Sequence, residues 1–363
     1  MVPAMTRSPD PVVIVGAGQS GLAAARAVHE AGLTPLVLEA GDRPAGSWPA
    51  YYNSLTLFSP ARYSAMPGLD FPGDPDHYPH RDEVAGYLHS YAAGLDVEIR
   101  TGTRVQAVER DGRAFVVRTA DGQEVRAGGV VAASGSFSRP VRPTWPGQES
   151  FTGQVRHVAD YRDPKDLAGL RVVVVGAGNS AVQVAYELGE VAQVSIASRR
   201  PLAFLPQRRE GHDVHHWLTS SGFDDLPLEW LIHSVQQTLA MDTGDYRAAI
   251  ESGRLQRREM LTGFDGDAVV WPGGERERVD VVLLATGYLP SLSYLRPLGA
   301  LTPDGLPLHQ GGISTVLPGL VYLGLEFQRS FASNTLRGVS RDAAYVVGPL
   351  AAHVGDAPSH LGL

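Results

Sequence analysis

The sequence contains no cysteine. That absence excludes structural disulfides, cysteine-ligated zinc, iron–sulfur clusters, attached c-type haem and any thiol nucleophile or thiol–disulfide relay of the chain's own. Redox chemistry, if present, has to run on a bound cofactor. Positive charge is in deficit: 31 Lys plus Arg against 39 Asp plus Glu leave a net charge of −8. No basic stretch is long enough to track a phosphate backbone, so neither nucleic acid nor an anionic membrane is an expected partner. Long apolar runs are missing too. The run Val12 to Val15 stops at Gly16, too early for a signal-peptide core or a membrane span, and a cytoplasmic protein is expected.

Glycine, by contrast, is plentiful. With 41 glycines and 26 prolines in 363 residues, the two together stay below the share typical of low-complexity disorder, so the glycines are expected at turns and close backbone approaches. At roughly 150 residues per domain the length predicts two domains.

The glycines fall into a pattern at Val12-Val13-Ile14-Val15-Gly16-Ala17-Gly18-Gln19-Ser20-Gly21, where a β-branched run meets Gly-x-Gly-x-x-Gly and an Ala-rich segment follows. This reads as strand, tight turn and helix. Gly32 ends the helix, Leu36 to Leu38 resume a buried strand, and Glu39 closes it 18 positions past Gly21. Such a βαβ unit is a dinucleotide-binding fingerprint: Gly16 permits the turn, Gly18 admits a pyrophosphate, Gly21 lets helix and strand approach, and Glu39 accepts from a ribose diol. The helix N-terminus, with Ser20 in its first turn, offers N–H groups to phosphate.

The pattern returns at Val172-Val173-Val174-Val175-Gly176-Ala177-Gly178-Asn179-Ser180-Ala181. Here the third glycine is Ala181, and 18 positions on stands Arg199, followed by Arg200, where the first unit carries Glu39. A carboxylate repels a ribose 2′-phosphate and a guanidinium pairs with it, so the second unit is expected to take NADPH. The first suits the adenosine half of FAD, and hydride transfer to the flavin would link them. Two further runs, Val130 to Gly135 and Val281 to Tyr288, read as buried strands ending in small residues where the chain crosses between domains. The expected architecture is α/β, with two Rossmann-like domains: FAD-binding at 1–164 and 281–363, and an NADPH-binding domain, 165–280, inserted into it.

Between the two fingerprints, Phe151-x-Gly153-x-x-x-His157-x-x-x-Tyr161 resembles the identifying motif of the flavin-containing (class B) monooxygenases. Gly46-Ser47-Trp48 is similar to that family's Gly-x-Trp segment beside the flavin, and Ala285-Thr286-Gly287-Tyr288 to its linker motif, which places Thr286 and Gly287 on the NADPH side. The run Gly324 to Gly338 resembles a short bacterial subgroup of FAD/NAD(P)-dependent flavoproteins. The resemblance implies that His157 couples the domains. It also implies that Gly46, Trp48, Gly135, Ser333 and Leu336 line FAD, and that a helix starting near Ser333 points at the flavin. A helix merely capped by solvent is the alternative there.

The activity implied is NADPH-driven reduction of FAD, addition of oxygen to give a C4a-(hydro)peroxyflavin, and oxygen transfer to a soft nucleophile such as a sulfide or amine. No catalytic residue is certain. In Tyr52-Asn53-Ser54-Leu55-Thr56-Leu57-Phe58, Phe58 stands where the larger family has an Asn near the reactive flavin carbon. Short bacterial members with the same replacement accept NADH as well as NADPH, so acceptance of NADH, a short-lived peroxide and H₂O₂ leakage are expected. The alternatives are an NADPH oxidase or flavin-linked reductase without oxygen transfer, and a non-enzymatic redox-sensing flavoprotein. A disulfide reductase is excluded by the missing cysteines. The cluster His212-Asp213-x-His215-His216-Trp217 lacks the spacing of a metal site and is expected to cap the substrate or nicotinamide side. Dimers are common for such folds, and nothing in the sequence requires one.

Overall fold

The computed structural model describes residues 10–227, 230–231 and 239–355. Its first sheet has seven strands, in the order 309–310, 313–314, 320–322, 129–132, 12–15, 35–38 and 98–100. Val12–Val15 is central and pairs in parallel with Pro35–Leu38 and Gly129–Ala132. Because successive side chains of a strand face opposite ways, its residues are divided between two cores. Val12 and Ile14 pack with Leu22, Ala25 and Val28 of the helix Gln19–Glu30 and with Val339, Ala343 and Val346 of the helix Val339–Val354. Val13 and Val15 pack with Val108, Phe115 and Val117 of an antiparallel sheet and with Leu295 and Leu317. A strand buried on both faces has to be apolar throughout, which is why it reads as an unbroken Val/Ile run. Each such side chain contributes roughly 1.5–3 kcal/mol of burial.

The second sheet is parallel throughout, in the order 256–259, 193–198, 171–175, 281–284 and 154–157. The helix Asn179–Leu188 covers one face through Ala181, Val184, Ala185 and Leu188, and Leu261, Phe264, Val269 and Trp271 cover the other. Gln154–His157 and Val281–Leu284 thus pair inside the second sheet, although the anticipated division at 164 and 281 puts both in the FAD-binding part. We propose that the domain boundaries lie at the crossings instead. The chain leaves the first sheet after Ala132 and re-enters it after Leu289, and the two connections run antiparallel, with Arg139 opposite Leu289 and Pro140 opposite Tyr288.

Candidate functional site

Both glycine turns sit at the carboxyl ends of parallel strands, where ligands of open α/β sheets bind. At the first, Gly16 has φ +103°, and a Cβ there would lie 2.7 Å from the Ala133 carbonyl oxygen. A Cβ on Gly21 would lie 1.8 Å from the Gly16 carbonyl oxygen, so the helix rests directly on the turn. Gly18 caps that helix with no side-chain hydrogen bond, which leaves the N–H groups of the first turn to a phosphate. Glu39, 9% exposed, accepts from Ala17 N–H at 2.6 Å and from Gly41 N–H at 2.7 Å. Its carboxylate is therefore held against the turn that a ribose would adjoin.

Gly46 faces Gly18, where a Cβ would come within 2.8 Å of the Gly18 Cα. Trp48 Nε1–H donates to Gln19 Oε1 at 3.0 Å, and Gln19 Nε2 donates to the Asn334 carbonyl at 3.2 Å, so the 46–48 loop and the 333–336 segment both reach the first helix. Ser20 is buried against Gly324, and Gly135 has φ +80° with open space before it. Leu336 is in the core beside Val339. The expected helix start at Ser333 is corrected: the helix begins at Val339. Ser333 is fully buried, and its Oγ accepts from Arg329 N–H at 3.0 Å and Ser330 N–H at 2.9 Å. A local side-chain turn has captured the hydroxyl that the pattern reads as a helix cap.

At the second turn a Cβ on Gly176 (φ +154°) would lie 2.4 Å from the Ala285 carbonyl. Gly178 caps the helix Asn179–Leu188, again without a side-chain bond. Asn179 Oδ1 accepts from Met241 N–H at 2.8 Å, Ser180 neighbours the Tyr52 hydroxyl, and Ala181 is buried. Arg199 and Arg200 are exposed just past the strand 193–198. Arg257, from the adjacent strand, donates to the Ser198 carbonyl at 3.1 Å and is a third guanidinium at this edge; its position on a distant strand hid it from spacing arguments.

Thr286 and Gly287 lie at the crossing. Thr286 Oγ1 donates to the Val141 carbonyl at 2.6 Å, and the Gly287 carbonyl accepts from Val141 N–H at 3.0 Å and from His157 Nε2 at 3.2 Å. His157 Nδ1 accepts from Ala159 N–H at 3.0 Å, and the ring meets Tyr288 edge-on at 4.9 Å. The fully buried imidazole is thus satisfied in its neutral form, and burial, helped by Arg142, lowers its pKa below 6.5.

A loop joins the two units. Trp48 ties it to the first helix, and Tyr52 ties it to the second by donating to Gln183 Oε1 at 2.5 Å. Further along the same loop, Phe58 and Tyr63 stack on His215 at 6.0 and 6.1 Å. His215 Nδ1 meets Asp213 Oδ1 at 2.7 Å, and Asp213 Oδ2 accepts from Tyr78 OH at 2.5 Å and from Gln207 Nε2 at 2.7 Å. Gln207 also donates to the Phe58 carbonyl at 2.8 Å. Burial acts to raise the Asp213 carboxyl, but the hydrogen bonds from His215, Tyr78 and Gln207 outweigh it and hold the group at about 2. This segment is fastened to the first unit by a buried two-pronged pair, Arg337 to Asp224, with both contacts at 2.8 Å. His212 stacks on His216 instead of joining His215, and among the described residues no three His, Asp or Glu side chains converge on a metal. The surface depression of about 720 Å³ lined by Pro11, Thr34, Val97 and Arg126 lies at the opposite, amino ends of the strands and takes no part.

The model of the pyridine nucleotide-disulphide oxidoreductase family matches residues 13–221. A CzcO-like oxidoreductase of Geobacillus kaustophilus is 30% identical over 349 residues, covering 94% of this chain and 98% of that one. Indole-3-pyruvate monooxygenase YUCCA1 of Oryza sativa is 30% identical over 330 residues, 81% of either chain. Among solved structures, a flavin-containing monooxygenase from Stenotrophomonas maltophilia superposes with a TM-score of 0.83 at 31% identity, covering 94% of this chain and 98% of that one.

Proposed function

The chain belongs to the pyridine nucleotide-disulphide oxidoreductase family and is an FAD- and NADPH-dependent monooxygenase, and we propose that it oxygenates soft nucleophiles, sulfides and amines among them. A small molecule and O₂ are its substrates. Bound together, the two nucleotides would supply hydride transfer to a flavin and electron transfer onward to oxygen.

The chain's own residues bind, orient and exclude water. We assign FAD to the first turn, with Gly16, Gly18, Ser20 and Gly21 at its phosphates, Glu39 at its ribose, and Gly46, Trp48, Gly135, Ser333 and Leu336 around it. NADPH is assigned to Gly176, Gly178, Asn179, Ser180 and Ala181, with Arg199 and Arg200 at the 2′-phosphate. Thr286 and Gly287 act by fixing the crossing, together with His157. The observation that carries this arrangement is the exchange of an acid for a guanidinium at the same register of two otherwise parallel units. Half-buried Phe58 and Tyr63 line the loop that bridges them and help to keep water out.

Supplying NADPH, thioanisole and ¹⁸O₂ tests the reading: one labelled atom in the sulfoxide supports it. NADPH consumption matched by H₂O₂, without oxygenated sulfide or amine, overturns it in favour of an oxidase. That second reading draws on Phe58, which presents a ring and no amide. A cytoplasmic location and a homodimer belong to the same proposal; among the described residues no helix is long and apolar enough to cross a membrane.

A further inference from the structure

Neighbouring arginines on one edge strand of the second sheet differ in what meets their charge. Arg258 pairs with Glu275 at 2.7 Å and lies over the Trp271 ring at 4.5 Å. Arg257 is also half-buried, yet no carboxylate among the described residues meets it. A charge drawn out of water is costly unless an opposite charge answers it, so this guanidinium suits an anion that is not part of the chain. Its direction is set by two hydrogen bonds. Arg257 stands opposite Ile196 in the ladder, but Nε donates to Ser198 Oγ at 3.3 Å and Nη2 to the Ser198 carbonyl at 3.1 Å, toward the carboxyl end of the sheet where the second glycine turn lies. Ser198, 1% exposed, donates its own hydroxyl to the Arg200 carbonyl at 2.7 Å. The carbonyls before and after Arg199 are thus held by one network that begins at Arg257. Pro201 adds to this by disfavouring helical backbone at Arg200. The Arg199 side chain has no partner among the described residues, so the turn is what aims it.

We propose that Arg257 determines coenzyme specificity, as the positioning residue that fastens the Arg199–Arg200 turn and as an unmatched positive charge at the same edge, selecting nucleotides with a phosphate on the adenosine ribose. The inference rests on the assignment of NADPH to the second turn. With a pyrophosphate at Gly176 to Ala181, the adenosine ribose lies over the end of the strand 193–198. A phosphate on its 2′-oxygen extends outward, and the next strand in that direction is 256–259. Ser198 takes only part of Arg257's donor fork, which leaves the rest of the fork and the whole charge for that phosphate. The first unit shows the opposite arrangement at the matching place. Its outward strand is 98–100, paired with 35–38, and Arg100 there is answered by Glu98 at 2.8 Å. An acid, Glu39, ends the inner strand, so that edge offers no open positive charge to a phosphate.

Calorimetric titration of the FAD-loaded protein with 2′,5′-ADP and with 5′-AMP tests this without turnover, because the two ligands differ only in the 2′-phosphate. In Arg257→Met, which keeps an apolar stem, the preference for 2′,5′-ADP is expected to fall about tenfold, with the Kd for 5′-AMP within about twofold of wild type. Ser198→Ala keeps the charge and cuts the link to Arg200, so its expected loss is smaller, about threefold. The double variant should lose less than the product of the two single losses, since both cut one network. A preference within twofold of wild type in Arg257→Met overturns the proposal, and so does an equal loss of affinity for both ligands. Losses that multiply in the double variant overturn the link through Ser198. Should Arg257→Met fail to fold, Arg257→Lys serves instead: it keeps the charge without the planar two-point grip, and the preference is expected to fall about threefold, with no fall overturning the proposal. If the wild type itself binds 2′,5′-ADP no tighter than 5′-AMP, the NADPH assignment fails; if it discriminates and the variants discriminate equally, only the part given to Arg257 fails.

Discussion

At the first glycine turn a methyl group on residue 21 would lie 1.8 Å from a backbone oxygen, whereas at the second the equivalent residue, Ala181, already carries that methyl, fully buried. In both units the first glycine is pressed against the carbonyl that follows a neighbouring strand, Ala133 for Gly16 and Ala285 for Gly176. The turns are therefore alike where the chain leaves the strand and differ where the helix returns to it. In the assignment proposed above, the turn that the helix sits on without a side chain is the flavin's, and the turn that carries the methyl is the nicotinamide coenzyme's. The second difference, Glu39 against Arg199, is the one that the proposed assignment uses to sort a ribose diol from a 2′-phosphate by charge.

The strongest way to break this comparison is Gly21→Ala. The clash is with backbone, so the flavin-to-protein ratio after purification is expected to fall at least tenfold. The reverse exchange, Ala181→Gly, costs about 1 kcal/mol as a helix-interior glycine and leaves the KM for NADPH within about threefold. Full flavin content in Gly21→Ala would make the two turns equivalent.

Arg199→Glu comes next. The ratio of kcat/KM for NADPH to that for NADH should drop by about tenfold, equivalent to roughly 1.4 kcal/mol and at the lower edge of what a charged hydrogen bond supplies. An unchanged ratio would move 2′-phosphate recognition to Arg200 or Arg257.

The smallest effect concerns the joint between the units. Unfolded His157 titrates near its ordinary 6.5 and folded His157 below it, so between those values the unfolded chain binds more protons and acid favours unfolding. Thermal midpoints should therefore rise from pH 5 to pH 7. His157→Gln should flatten that slope, leaving the part due to His309, whose burial shifts it the same way. A slope identical to wild type would remove His157 from the coupling.

Both βαβ units could be read from the chain because each is local: an apolar run, a glycine turn and a helix within about thirty residues. The crossings were visible as small residues after strands. Sheet membership was not, since Gln154–His157 and Val281–Leu284 owe it to partners more than 100 residues away in sequence. Ser333 misled because a hydroxyl before a helical stretch looks the same whether it caps that helix or closes the turn at 329–330. The Asp213–His215 pair lay within a segment recognisable only as a histidine cluster. Its surroundings are Phe58, Tyr63 and Tyr78, supplied by a loop roughly 135 to 157 residues earlier.

The paired connections at 139–140 and 288–289 have a consequence for how such chains diversify. The strand that leaves the first unit and the one that returns lie side by side, so everything between them enters and exits through one doorway. Replacing that whole stretch with another nucleotide-binding unit demands no new closure of the first sheet, because the ends to be joined are already neighbours. Coenzyme choice is thereby an exchangeable cartridge, and the flavin half can be inherited unchanged while its electron donor is swapped.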